Sequence, residues 1–216
     1  YQLTMMNGYL KSGVAQKKAV FDVFYRGTGN FSYAMAAGLK QVIDYITNLK
    51  FTNEDIEYLR SLKIFDETFL KELKDFKFTG DIKALPEGTI CFPYEPILTV
   101  TAPIFQAQLI ETAVLTFINH QTLIATKALR LCQSTKSKIL EFGLRRAQGA
   151  DAGIYGARAA YIGGCRATSN VLAGKMFDIP VKGTHAHSWI MSFPDELTAF
   201  RKYAELYPDS CLLLVD

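Results

Sequence analysis

Residues 138–171 read KILEFGLRRAQGADAGIYGARAAYIGGCRATSNV. A short β-prone run, KILEF, precedes a helix of small residues at 148–161, and a second short run, ATSNV, follows it. The alternation continues with a helical LAGKMF, a third strand IPVKGTHA, a charged amphipathic helix from Asp195 to Tyr207 after Pro194, and a fourth strand CLLLVD. Strand and helix repeated this tightly imply parallel strands joined by crossover helices. Four such units make half of an eightfold βα barrel, and an open doubly wound sheet fits the alternation nearly as well. No Gly-x-Gly-x-x-Gly follows any of the strands, which weakens a dinucleotide-binding version.

The preceding part of the chain reads as a mixed α+β unit. Tyr1 already stands in a helix-like segment, and KAVFDVFY at 18–25 predicts a strand buried on both faces. Residues 34–48 carry the three-and-four spacing of a helix, and short amphipathic helices open at Thr52 and Asp66. Between 76 and 101, β-prone runs broken by Gly80, Pro86, Gly88, Pro93 and Pro96 predict a meander or hairpin, and Pro103 starts a long helix to about Gln133. The expected division is an α+β domain over 1–136 and four βα units over 137–216. Both ends of the chain look cut rather than finished.

Composition narrows the class. The 216 residues are 49% hydrophobic and 21% charged, ordinary for a globular protein, and 24 basic against 21 acidic residues give a net charge of +3. That balance offers no electrostatic footprint for nucleic acid. The four cysteines are widely spread without a Cys-x-x-Cys pair, which fits reduced thiols in a cytoplasm. The most apolar stretch, 104–132, is interrupted by Gln106, Gln108, Glu111, Asn119, His120 and Gln121, so it reads as a buried helix of a non-membrane protein.

In parallel α/β proteins the active groups gather at the carboxyl ends of the strands. Those ends carry Phe142, Arg145 and Arg146, then the polar Thr168-Ser169-Asn170, then Gly183-Thr184-His185-Ala186-His187, then Asp216. The arginine pair reads as an anion site or as a solvated salt-bridge face. The two histidines read as a metal clamp, a phosphate acceptor, or structural residues on one face of a strand. His187 and Asp216, on consecutive strands, suit a couple in which a carboxylate orients an imidazole. His120, on the long helix of the other unit, reads as structural, so a metal site would need ligands from outside the three histidines.

The ordered segments YQLTM (1–5), AVFDVFYR (19–26), FPYEPILTV (92–100), INHQTLIATKA (118–128), EFGLRRAQGADAG (141–153), SNVLAG (169–174), GTHAHSW (183–189) and LLLVD (212–216) resemble the nicotinate phosphoribosyltransferases over nearly the whole chain. The resemblance implies a type II phosphoribosyltransferase-like fold: an α+β domain, then the first half of an irregular (β/α) barrel. It implies condensation of nicotinate with 5-phosphoribosyl-1-pyrophosphate, coupled to ATP hydrolysis through a phosphohistidine, with Mg2+ accompanying ATP and pyrophosphate. It also implies a cytoplasmic homodimer with active sites at the subunit interface.

Carried over residue by residue, the phosphorylated histidine is His187, with Asp216 orienting it. Phe142 stacks on the pyridine ring, Tyr1 reaches that ring from the partner subunit, and Thr184, Arg145 and Arg146 line the nicotinate and phosphate pocket. His185 is a bystander. Thr99 and Thr101 stand where relatives often carry charge, and CRATSN (165–170) holds Arg166 but no acid, which favours a free-acid substrate over an amide. The family's later phosphate-binding loops lie beyond residue 216, so residues 1–216 alone are expected to be inactive. Two rival readings are a metal-dependent hydrolase barrel using His185 and His187, and a catalytically inactive interaction paralogue. The second predicts an eroded site, whereas Phe142, Arg145, Thr184, His187 and Asp216 are all in place.

Overall fold

A computed structural model describes residues 1–27 and 32–215. The chain divides into two compact units, Tyr1–Thr126 and Lys127–Asp216. The first unit runs α1 (Gln2–Lys11), β1 (Lys18–Phe24), β2 (Ala34–Met35), α2 (Leu39–Asn48), α3 (Asn53–Ser61), α4 (Glu67–Lys74), β3 (Asp81–Ala84), β4 (Ile90–Cys91) and β5 (Pro96–Pro103). Helix α5 (Ile104–Gln133) follows directly on β5, as Pro103 predicts.

An antiparallel sheet of order β1-β5-β3 carries one core. Val42, Leu98, Val100, Ile110 and Val114 are buried there, with Phe21 and Val23 of β1 packed against them. A second core joins Met6 of α1, Phe69, Leu70 and Leu73 of α4, and Phe105 and Leu109 of α5. Each fully buried side chain of this size is worth about 1.5–3 kcal/mol.

Two sequence expectations are corrected here. Strand β1 is not buried on both faces: it is an edge strand whose exposure alternates residue by residue, with Val20 60% exposed. Apolar residues at both odd and even positions of KAVFDVFY hide that alternation. Thr99, one of the positions without the family's charge, donates to Asp22 Oδ1 across the β1–β5 pair at 2.6 Å.

Residues 34–37 are likewise not helical. Ala34 and Met35 pair with β4, and the Ala36 carbonyl oxygen, which a helix would offer to its own next turn, accepts from Gly88 N–H, while the Met35 and Ala37 N–H groups donate to the hydroxyls of Thr126 and Thr122 on α5. The helix begins only after Gly38, whose φ of +107° suits glycine, and a Cβ there would lie 2.7 Å from the Phe117 carbonyl oxygen.

In the second unit the connecting helices are α6 (Ala150–Ile162), α7 (Val171–Phe177), α8 (His187–Met191) and α9 (Glu196–Leu206). The predicted strands pair in parallel and in chain order, but as single bridges, Glu141 with Thr168 and Thr168 with Val181. Backbone bonds fill out the contact: Arg166 N–H to Ile139 O at 2.8 Å, Ser169 N–H to Glu141 O at 3.0 Å, and Lys182 N–H to Thr168 O at 3.1 Å. The third strand ends before its histidines, and His187 opens α8 instead of standing on a strand. CLLLV (211–215) joins no strand ladder among the described residues. Beside the end of α5, burial and the neighbouring Cys132 push the Cys165 thiol up to about 12.

The predicted helix starts hold at the level of single atoms. Thr52 and Asp55 form a capping box on α3, while Asp66 and Asp195 cap α4 and α9 through the N–H groups of Phe69 and Thr198. The Thr52 hydroxyl and N–H hold the Asp55 carboxyl below the usual carboxylate range. The Phe69 N–H and Lys11 do the same for Asp66, and the Thr198 N–H and hydroxyl for Asp195. A lowered folded-state value gives stabilisation that is complete above about pH 4 and fades as pH falls through the lowered values. Replacing all three by Asn, which caps without titrating, should therefore flatten the acid limb of an unfolding profile followed by circular dichroism. An acid limb as steep as the parent's would contradict this.

Candidate active site

Because the three bridged segments run parallel, the residues leaving their carboxyl ends emerge on one edge of the second unit. The first exit is Phe142 to Arg146. Phe142 is 40% exposed, and Arg145 and Arg146 stand exposed on a tight 3-10 turn, Leu144–Arg146. Neither guanidinium has an ion-pair partner among the described residues, so the reading of this pair as a salt-bridge face does not hold. An exposed aromatic face beside two uncompensated cations suits a flat, anionic ligand.

The Glu141 carboxylate, which the sequence reading passed over, organises this exit. One oxygen accepts from Gly143 N–H, and the other accepts from the Thr168 hydroxyl at 2.6 Å. A Cβ at residue 143 would sit 2.9 Å from the same carboxylate oxygen, so glycine admits its approach. The available signal was an acid at a strand end, two residues before a glycine. At the second exit, fully buried Thr168 also accepts from Asn170 N–H at 3.0 Å. Asn170 in turn caps α7 by accepting from Ala173 N–H. Its buried Nδ2 has no partner among the described residues.

The third exit separates the two histidines. His185 is only 7% exposed, its ring against Phe200 at 5.5 Å and Tyr203 at 5.2 Å. Its Nε2 accepts from Leu214 N–H at 3.1 Å, so that nitrogen carries no proton, and Nδ1–H faces the Ala186 carbonyl oxygen at 3.3 Å. Both nitrogens are engaged within the protein, which corrects the metal-clamp reading and gives His185 a structural place: it ties residue 214 to the third segment. His187 is exposed on α8, and Thr184 is half-buried. The Trp189 indole donates to the Ala199 carbonyl oxygen at 3.0 Å, fixing α8 on α9.

Tyr1 lies in the first unit, 68% exposed, its hydroxyl held by Glu111 at 3.0 Å and Thr112 at 3.1 Å on α5. His120 is half-buried on the same helix. Asp216 lies outside the described residues. Two troughs of about 470 and 430 Å3 run between β1 and α5, lined among others by Val23, Phe24, Arg26 and Leu115, and none of the sequence-derived site residues lines either. Among the described residues, no helix is long and apolar enough to cross a membrane.

Residues 1–119 match the sequence profile of the nicotinate phosphoribosyltransferase (NAPRTase) N-terminal domain. The chain is 49% identical over 218 aligned positions to nicotinate phosphoribosyltransferase of Bacillus subtilis, covering 100% of this chain and 44% of that protein. To the human protein of the same name it is 38% identical, covering 89% of this chain and 37% of the relative. The crystal structure of human nicotinic acid phosphoribosyltransferase superposes with a TM-score of 0.83 at 37% identity, covering 89% of this chain and 40% of that one. A nicotinate-nucleotide pyrophosphorylase from Pyrococcus furiosus gives 0.75 at 25% identity, covering 98% and 47%. The chain thus spans less than half the length of these relatives.

The histidine geometry makes a direct prediction. In His185→Ala the Leu214 N–H loses its acceptor, a loss worth about 1–3 kcal/mol where the donor stays buried. Exchange of the Leu214 amide, read by mass spectrometry or NMR, should quicken at least about tenfold. Unchanged exchange would show that the ring does not hold residue 214.

Proposed function

The chain belongs to the nicotinate phosphoribosyltransferase family, and on that premise we propose that the intact protein condenses nicotinate with 5-phosphoribosyl-1-pyrophosphate to nicotinate mononucleotide and pyrophosphate, with ATP hydrolysis coupled through a phosphohistidine. The observation that carries the reading is the edge of the second unit, where exposed Phe142 and the uncompensated Arg145 and Arg146 share one side of the parallel segments with exposed His187.

In the condensation the pyridine nitrogen bonds to C1 of the ribose as the C1–O bond breaks, and the electron pair leaves with pyrophosphate. The protein's work is positioning and charge stabilisation. Phe142 stacks on the ring, an aromatic contact worth about 0.5–1.5 kcal/mol beyond burial. Arg145 and Arg146 meet the carboxylate and phosphate oxygens, at about 1.5–3 kcal/mol for each charge-assisted bond. Thr184 lines the same pocket. Tyr1 serves the partner subunit's ring in a homodimer with shared sites. A His187 ring nitrogen bonds to the γ-phosphorus of ATP as the bond to ADP breaks, water later releases the group as phosphate, and Asp216 orients the imidazole. Mg2+ would accompany ATP and pyrophosphate and offset their charge, and no residue is assigned to it.

The free acid is preferred over the amide. The second exit, CRATSN (165–170), carries Arg166 and no acid that would accept from a substrate amide. Residues 1–136 then form the α+β domain and 137–216 the first four βα units of an irregular barrel, in a cytoplasmic enzyme.

Incubating the intact protein with γ-labelled ATP should leave acid-labile, alkali-stable phosphate on His187. His187→Ala should remove both the label and the ATP stimulation of turnover. Full coupling in that variant would sink the phosphohistidine.

A further inference from the structure

Residues 142–147 form few polar bonds to the rest of their unit. Their backbone bonds are local, Arg146 N–H to Gly143 O at 2.8 Å and Ala147 N–H to Leu144 O at 3.1 Å. Among the described residues, the hydrogen bond that ties them outward is the one from Gly143 N–H to the Glu141 carboxylate. The apolar counterpart is Leu144, seated on Gly153 of α6 so closely that a Cβ there would stand 2.3 Å from Leu144 Cδ1. The second carboxylate oxygen of Glu141 takes the hydroxyl of Thr168, which has no solvent exposure, and Thr168 accepts from Asn170 N–H. A continuous chain of hydrogen bonds thus runs from the N-cap of α7, through Thr168 and Glu141, to the turn that presents Phe142 and Arg145.

We propose that Glu141 and Thr168 act together as positioning residues: the carboxylate, clasped between the Gly143 amide and the Thr168 hydroxyl, sets the Phe142–Arg145 turn in the place where it receives the pyridine substrate. This rests on the substrate assignment made above. The energetic logic is that of an anchored loop. Phe142 and Arg145 are exposed, and an exposed turn that must order itself around each ligand loses affinity to conformational entropy. A carboxylate accepting two hydrogen bonds removes that cost beforehand, and it does so without touching the substrate. The effect therefore belongs in the binding of the pyridine substrate and not in the phosphorylation of His187, which sits on a different exit.

The test uses the intact protein and two pairs of variants. Glu141→Ala loses both bonds, whereas Glu141→Gln keeps an oxygen for Gly143 N–H. Thr168→Val loses the hydroxyl, whereas Thr168→Ser keeps it. Glu141→Ala and Thr168→Val should each raise the KM for nicotinate at least about tenfold, with kcat changed less than about threefold and ATP-dependent labelling of His187 unchanged. The double variant should be little worse than Glu141→Ala alone, because both act through one clasp. Gln and Ser should recover most of the loss. A nicotinate KM within twofold of the parent in Glu141→Ala overturns the proposal. So does a parallel rise in KM for every substrate that Gln and Ser fail to rescue, since that marks a general structural role. If Glu141→Ala does not fold, the Thr168 pair decides: equal effects of Val and Ser overturn it.

Amide exchange over residues 143–146, measured without substrate, separates this claim from the substrate assignment. It should quicken at least tenfold in Glu141→Ala, or in Thr168→Val relative to Thr168→Ser. Unchanged exchange defeats the clasp whatever the reaction. A parent that does not turn over nicotinate, with exchange quickened as expected, defeats only the substrate assignment.

Discussion

The parallel pairing of Glu141, Thr168 and Val181 is the constraint on which the second unit depends. Two bridges and a handful of backbone bonds hold three segments side by side in chain order. Parallel order requires crossover helices, and α6 and α7 supply them with small buried residues such as Ala157, Ala160 and Ala173, which let helix and segment approach closely. The same order sends every exit loop to one edge. An aromatic ring, two cations, a threonine and an exposed histidine, drawn from two separate exit loops, then share that edge.

Much of this was legible in the sequence because it depends on local chemistry. Helix starts at Thr52, Asp66 and Asp195 follow from the cap residue and its own next turn, and Pro103 marks the start of α5. Where the outcome depended on partners distant in the chain, the reading failed. KAVFDVFY looks buried on both faces until Phe21 and Val23 are seen packed on the core with Val20 turned to solvent. AMAAG looks helical until Ala34 and Met35 are seen paired with β4 and the Ala36 carbonyl oxygen taken by Gly88 N–H. The third strand stops short of His185, whose ring accepts from Leu214 N–H, a contact that no spacing rule contains.

The site shows the same division. Residue types suited to flat anions, Phe142 and the arginines, stand out by composition and by position at a strand end. Glu141 did not, because its role is to bond the backbone of its own loop and the side chain of the next segment. The histidine pair, symmetric in sequence, is asymmetric in the fold. One ring is buried with both nitrogens engaged inside the protein, and the other stands exposed at the start of α8. Period-two reasoning requires a strand, and the strand ends before the pair.

On the proposed function, the exits of these three segments receive the pyridine nucleotide. A crystal structure of the intact protein with nicotinate mononucleotide bound tests it most directly. The pyridine ring should lie against Phe142, with a carboxylate or phosphate oxygen within hydrogen-bonding distance of Arg145 or Arg146. A nucleotide seated instead in the trough between β1 and α5, with Phe142 and both arginines untouched, would contradict it.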